Sequence, residues 1–149
     1  MKYSEGSVGR IFVIRLEDGD RLPHLIEEFA EQKGISRAMC ILVGGIDQGS
    51  TIVVGPRERD SAPPEPVLLE LGGVHEVAGV GTLFPDADGK PRLHMHTALG
   101  RGDKTHTGCI RPGVSVWNLG EVIMLEITGN PAVRRRDSAS GFDVLEAEG

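Results

Sequence analysis

Aromatic side chains are nearly missing from this chain. Its 149 residues include one Trp, one Tyr and four Phe, so Val, Ile and Leu must fill the interior. Cysteine is almost as scarce, with only Cys40 and Cys109. Two thiols in separate strand-like runs point to a reducing compartment rather than to a disulfide-stapled scaffold. The opening M-K-Y-S-E-G has no hydrophobic signal core, and no apolar run approaches the length needed to cross a bilayer. A cytoplasmic protein with no membrane partner is expected. Clustered positive charge is lacking too. The formal net charge is −6, which disfavours binding to nucleic acid or an anionic membrane, since both draw on grouped Lys and Arg. The one dense basic run, Arg134-Arg135-Arg136, is followed at once by Asp137. It reads as a solvated surface patch, with a minor phosphate contact as the other reading.

Glycine, by contrast, is abundant at 21 residues, which implies many turns and close backbone approaches and favours a sheet-rich fold. The length suits one domain, and an apolar share of 39% with 26% charged residues is ordinary for a globular chain. A single α+β domain spanning residues 1–149 is expected, with a polar C-terminal extension at 129–149.

The chain offers one good helix. Leu22, Leu25, Ile26, Phe29 and Ala30 form an i, i+3, i+4, i+7, i+8 stripe. Asp20 is placed to cap it, Pro23 falls in its first turn and Gly34 supplies its stop. Glu27, Glu28, Glu31 and Gln32 fall on the wet side, and His24 on the same side carries no functional weight. Around this helix lie about nine strand-like runs: 10–16, 38–43, 51–54, 67–71, 75–84, the run through His94, its return strand, and 114–119 with 121–127 on either side of Gly120. Phe142 and Leu145 suggest an edge segment near the end. Most connections are too short for a helical crossover, so antiparallel pairing is expected. Asp86, Asp88 and Gly89 resemble the opening of a calcium loop, but the later ligands are absent and a turn is expected. Arg101-Gly102-Asp103 spells an integrin-binding tripeptide and is read as coincidence.

Chemistry concentrates between Arg92 and Gly113. His94 and His96 sit two apart in an alternating run, so their imidazoles share one face of a strand. Gly102-Asp103 is a two-residue hairpin signal, and the returning strand carries His106 and Cys109. If those two residues are the whole loop, Arg101 pairs with Lys104, His96 lies opposite Cys109, and Leu99 lies opposite His106. Cross-strand partners share a face, so Cys109 then joins the two histidines. An odd-numbered loop brings His106 in instead. The even loop is favoured because Gly-Asp suits it, and His106 stays as the alternate to Cys109. Imidazole and thiolate together suit a divalent transition metal, zinc first, with nickel, cobalt or copper close behind.

Several of these pieces, taken in order, resemble the PPC domain, the plant-and-prokaryote-conserved domain. They are Arg15-Leu16 with Gly19-Asp20 before the helix, Gly44-Gly45-Ile46 after the buried strand, E-L-G-G-V-H-E-V at 70–77 and G-T-L at 81–83. The strongest are L-H-M-H at 93–96 and T-G-C-I-R-P-G at 107–113. The resemblance covers about Gly9 to Thr128. It implies an antiparallel sheet with a helix packed on it, assembled as a homotrimer, and a metal held by the H-x-H pair and a later histidine. This chain departs from that pattern, because Cys109 stands where the later histidine would be. Plant members are tied to DNA by an AT-hook with an Arg-Gly-Arg-Pro core. Nothing like it is present, so DNA binding is not carried over.

The expected function is therefore a trimeric, cytoplasmic metal-binding protein with His94, His96 and Cys109 around the ion. A fourth position would be open to water or a small molecule, with Glu76 from the neighbouring strand as the nearest candidate base. The alternative is a non-catalytic small-molecule-sensing or interaction module. DNA binding is the weakest of the three.

Overall fold

A computed structural model describes residues 1–61 and 63–147. The first strand, β1 (Ser7–Glu17), turns through Asp18 to Asp20 into the short β2 (Arg21–Leu22), which feeds α1 (His24–Lys33). Then follow β3 (Ala38–Ile46), β4 (Thr51–Pro56), β5 (Pro66–Glu70), β6 (His75–Pro85), β7 (Pro91–Arg101), β8 (Lys104–Cys109) and β9 (Val114–Thr128). A final pair, β10 (Val133–Arg136) and β11 (Asp143–Glu146), forms its own two-stranded sheet. The main sheet has nine strands in the order β1-β9-β3-β6-β7-β8-β4-β5, with β2 joined to β9, and its paired strands run antiparallel. The α+β architecture, mostly antiparallel sheet with one main helix, is thus as expected.

One face of the sheet is the core. Leu16, Cys40, Leu42, Val122, Met124 and Met95 are all buried there together with Ile26 and Ala30 of the helix. Phe29 meets Phe12 edge to face, with ring centroids 5.4 Å apart. The helix stops where expected: Gly34 takes φ +65°, and the N–H of Ile35 reaches the Ala30 carbonyl at 2.8 Å. Its start is different. Pro23 occupies the cap position and no side chain caps the helix. Asp20 instead accepts a 2.8 Å hydrogen bond from the Glu17 amide, closing the β1–β2 turn. The short β2 strand comes between Asp20 and the helix and takes the aspartate out of reach. Nor is Glu27 left on the wet side, because its carboxylate accepts a 2.8 Å bond from the Leu93 amide at the start of β7.

The other face is open over much of its width. Cross-strand pairing draws a continuous row, Val13–Ile123–Ile41–Val80–His96–Cys109–Val53–Leu68, from one edge of the sheet to the other. Val13, Ile41, Val80 and Leu68 in that row are exposed. The two terminal strands expected around Gly120 are one strand, β9. Its register slips at Asn118 and Leu119, so that Gly44 pairs with Gly120 but Gly45 with Trp117. Asn118 takes φ +64° there and its amide donates to Asp18 at 2.7 Å. The slip reads as a break in sequence, but the ladder resumes beyond it.

The extension at 129–149 is more than a polar tail. Its β10–β11 hairpin lies against the open face, where Arg134 donates to the carbonyl and hydroxyl oxygens of Thr82 at 3.3 and 3.0 Å. The edge segment expected from Phe142 and Leu145 corresponds to β11, with Phe142 just before it. The last two residues of the expected domain and extension, 148 and 149, lie outside the described residues.

Two measurements test this packing. Gly44 has φ +136°, and a Cβ there would stand 2.6 Å from both Gly120 Cα and the Leu119 carbonyl oxygen. Gly44→Ala is expected to cost about 2 kcal/mol or more of unfolding free energy in urea titration. At the sheet edge, hydrogen bonds from Arg10, above all from its side chain, pull the Glu126 carboxyl down to about 2 from its ordinary 4.5. A depressed carboxylate stabilises the fold fully above the unfolded pKa and loses that contribution as pH falls through the folded one. Stability should therefore drop between about pH 4.5 and 2, and Glu126→Gln should flatten that limb of the profile.

Candidate metal centre

The β7–β8 hairpin closes through Gly102 and Asp103 alone. Arg101 pairs with Lys104, His96 with Cys109 and Leu99 with His106. Burial keeps this register in place: Met95 and Leu99 point into the core while His94 and His96 point out of it. Gly108 lets β4 come close, since a Cβ on it would lie 2.5 Å from the Val53 carbonyl oxygen. Cys109 is thereby held between His96 and Val53 and is itself buried.

Three donors converge as a result. The Nε2 atoms of His94 and His96 are 3.1 Å apart, and the donor atoms of His94, His96 and Cys109 all lie within 4.8 Å of one another. Two zinc–nitrogen bonds of about 2.05 Å span 3.1 Å at an angle of roughly 100°, close to tetrahedral. A tetrahedral nitrogen–sulfur pair is separated by roughly 3.6 Å, so from within 4.8 Å Sγ needs to move in by at most about 1 Å. The donor set fits a four-coordinate ion with one position left for another ligand. Burial, followed by the charges of Arg134, His96 and Arg111, lowers the pKa of His94 to about 4. Its imidazole is therefore neutral near pH 7 and keeps a lone pair to donate.

The other sequence candidates lie elsewhere. His106 faces the opposite side of the hairpin, where its ring centroid is 6.0 Å from that of His75. The even-numbered loop excludes it from the cluster. Glu76 shares the donor face but pairs with Gly100, four positions along β6 from the Val80 that pairs with His96. At strand rise this is ~13 Å away, so Glu76 is not a base for this site. Cys40 is on the core side, and burial pushes its thiol up to about 12. The Asp86 segment is a turn, with its carboxylate accepting from the Asp88 and Lys90 amides at 3.0 and 2.9 Å.

The basic run also departs from expectation. Arg134 is only 8% exposed, while Arg135 and Arg136 pair with Glu146 and Asp143 at 3.1 and 3.8 Å. Strand alternation turns Arg134 and Arg136 to one side, and both line the cavity that holds the three donors, as does Arg111. The signal for this was present in the sequence. R-x-R after the apolar pair Ala132-Val133 has period two, which a solvated patch does not need.

The family model of the Plants and Prokaryotes Conserved (PCC) domain matches residues 3–128. Among solved structures, a metal-containing protein from Archaeoglobus fulgidus superposes with a TM-score of 0.82 at 29% identity, covering 98% of this chain and 99% of that one. A plant- and prokaryote-conserved (PPC) protein from Pyrococcus horikoshii gives a TM-score of 0.83 at 22% identity, over 98% and 97% of the two chains. The bifunctional protein GlmU of Synechococcus sp. (strain JA-3-3Ab) is 25% identical over 140 residues, 93% of this chain, which spans only 21% of that protein. The matched residues take in the whole nine-stranded sheet, its helix and all three donors, and the chain belongs to the Plants and Prokaryotes Conserved domain family.

Proposed function

We propose that this chain binds a divalent transition metal, zinc in the first instance, through His94, His96 and Cys109, and presents the open coordination position to a small molecule. The observation that carries the reading is the convergence of two imidazole nitrogens and a buried sulfur within 4.8 Å at a cavity wall. The similarity to an archaeal protein described as metal-containing supports it. When bound, zinc supplies a Lewis acid that polarises an oxygen ligand and brings a bound water's pKa down to about 7.

The protein side of the site favours binding over turnover. Among the described residues lining the cavity, Asp143 is the one carboxylate, and it faces Arg136 at 3.8 Å. No free base stands beside the donors there, and this is what favours the second reading, a module that senses a small molecule without converting it. A reducing compartment, the cytoplasm, would keep the Cys109 sulfur available for the ion. No helix among the described residues is long and apolar enough to cross a membrane.

The homotrimer implied by the family resemblance belongs to the same reading. Val13, Ile41, Val43 and Val80 give the open face an exposed apolar strip next to His96, and association of three copies would remove it from water.

Purified protein incubated with zinc and then dialysed is expected to retain one ion per chain by elemental mass spectrometry. Loading with cobalt(II) should give thiolate-to-metal charge-transfer absorbance that Cys109→Ser abolishes. Cys109→Ala should weaken zinc at least ~100-fold, beyond what loss of an outer partner costs, while His106→Ala leaves it unchanged. Protein that retains no transition metal refutes the metal reading. Sedimentation equilibrium should give three times the chain mass, and Val80→Glu should lower it. A monomer for the unaltered chain overturns the trimer.

A further inference from the structure

The β10–β11 hairpin, the β4–β5 connection and the open face of the sheet flank a half-open cavity of about 980 Å³, within the size range of small-molecule sites. Its wall is mainly apolar, with Val53 and Leu68 on the sheet side and Phe142 and Leu145 on the hairpin side. The wall also carries Arg111 and Arg134, whose charges both act on His94. Arg134 is the unusual member. More than nine-tenths of it is buried, its guanidinium lies 6.0 Å from the Phe84 ring centroid, and its contacts with Thr82 are to neutral oxygens. Its Nε atom is buried with no hydrogen-bond partner among the described residues. Arg111, on the loop after Cys109, forms no ion pair among the described residues, whereas Arg136 is turned to Asp143. Asp143 attracts Arg134 but is already engaged by Arg136, so a desolvated guanidinium with a spare donor and a second cation nearby stays costly until a further anion completes the set. The fork of an arginine suits the paired oxygens of a carboxylate or phosphoryl group.

We propose that this cavity receives a small amphipathic oxyanion, its carboxylate or phosphoryl head between Arg111 and Arg134 and its apolar body against Val53, Leu68, Phe142 and Leu145. The inference rests on the metal reading for one point, the head's nearness to the open coordination position. The two arginines and the apolar wall act with or without the ion. A nucleic acid is the poorer fit, because a net charge of −6 opposes approach to a phosphate backbone.

The test uses the full chain, both chelator-stripped and zinc-loaded, titrated calorimetrically with hexanoate, hexyl phosphate and 1-hexanol. At least one anion is expected to bind both forms, and hexanol at least ~10-fold more weakly, as loss of a charged hydrogen bond implies. Tighter hexanoate identifies an organic acid as the source of the head group, and tighter hexyl phosphate a phosphate ester. Arg111→Gln, at an exposed position, should weaken the anion ~10-fold or more while hexanol is unaffected. Arg134→Gln should do the same, and the Arg134 Nε–H resonance of the unaltered protein should shift on anion addition. Equal binding of hexanol, or anion binding unchanged by both substitutions, overturns the proposal. Zinc uptake with no anion binding in either form overturns it while the metal reading stands. Anion binding by a protein that takes up no metal sinks the metal reading and leaves the oxyanion pocket in place.

Discussion

The register of one hairpin decides where the chemistry of this protein lies. With Gly102 and Asp103 as the entire loop, His96 faces Cys109 and the two share a side of the sheet. A slip of one residue would send Cys109 to the core side and bring His106 across. The turn alone does not secure this. Met95 and Leu99, at 1% and 0% exposure, anchor β7 from the core side, since turning β7 over would bury His94 and His96 among Leu and Ile. The close approach of Gly108 to Val53 holds β8 beside it. The hydrophobic face of β7 thus sets the position of its polar face. Glu27 adds a tether from the helix by accepting the amide hydrogen of Leu93, one residue before the first histidine.

The second constraint is that one helix cannot cover a sheet of nine strands on both sides. The helix takes one face, and much of the other stays apolar and exposed. Near β6 and β7 the β10–β11 hairpin covers part of it, and the donor cluster falls under that cover. The exposed strip and the cavity are therefore neighbours on one surface. Anything that covered the strip would also alter access to the cavity.

The main features of this arrangement were legible in the sequence because they follow from local periodicity. The helix stripe, the Gly34 stop, the antiparallel pairing and the hairpin parity each rest on side-chain alternation or on one turn. The errors occur where distant segments meet. Asp20 has the composition of a helix cap, but β2 pairs with β9 and takes up the residues between it and the helix. Glu76 is on the correct face but at the wrong height, and height depends on a register between strands that periodicity does not supply. Gly120 looked like a strand break because the ladder partner that bridges the slip, β3, lies far away in sequence. The basic run was misjudged for the same reason. A patch of three arginines looks solvated until a hairpin turns the first of them onto Thr82.

The electrostatics of the cavity bear on why a cysteine can stand where the family resemblance leads one to expect a histidine. Three neutral imidazoles would leave a divalent ion with its full double charge, close to the buried guanidinium of Arg134 and to Arg111. Those two cations already act on each other and on His94: Arg111 contributes to lowering Arg134, after burial, and both contribute to lowering His94. Asp143 acts on Arg134 in the opposite sense to Arg111, and with an ion bound a thiolate at position 109 would add a further negative charge inside this group. Exchanging an imidazole for a thiolate therefore lowers the repulsion between an ion and the arginines by one formal charge, in a partly desolvated space where such interactions are strong. The cysteine and the buried arginine are best understood together. Each makes the other less costly, and the positive charge that remains is what an anionic head group would meet.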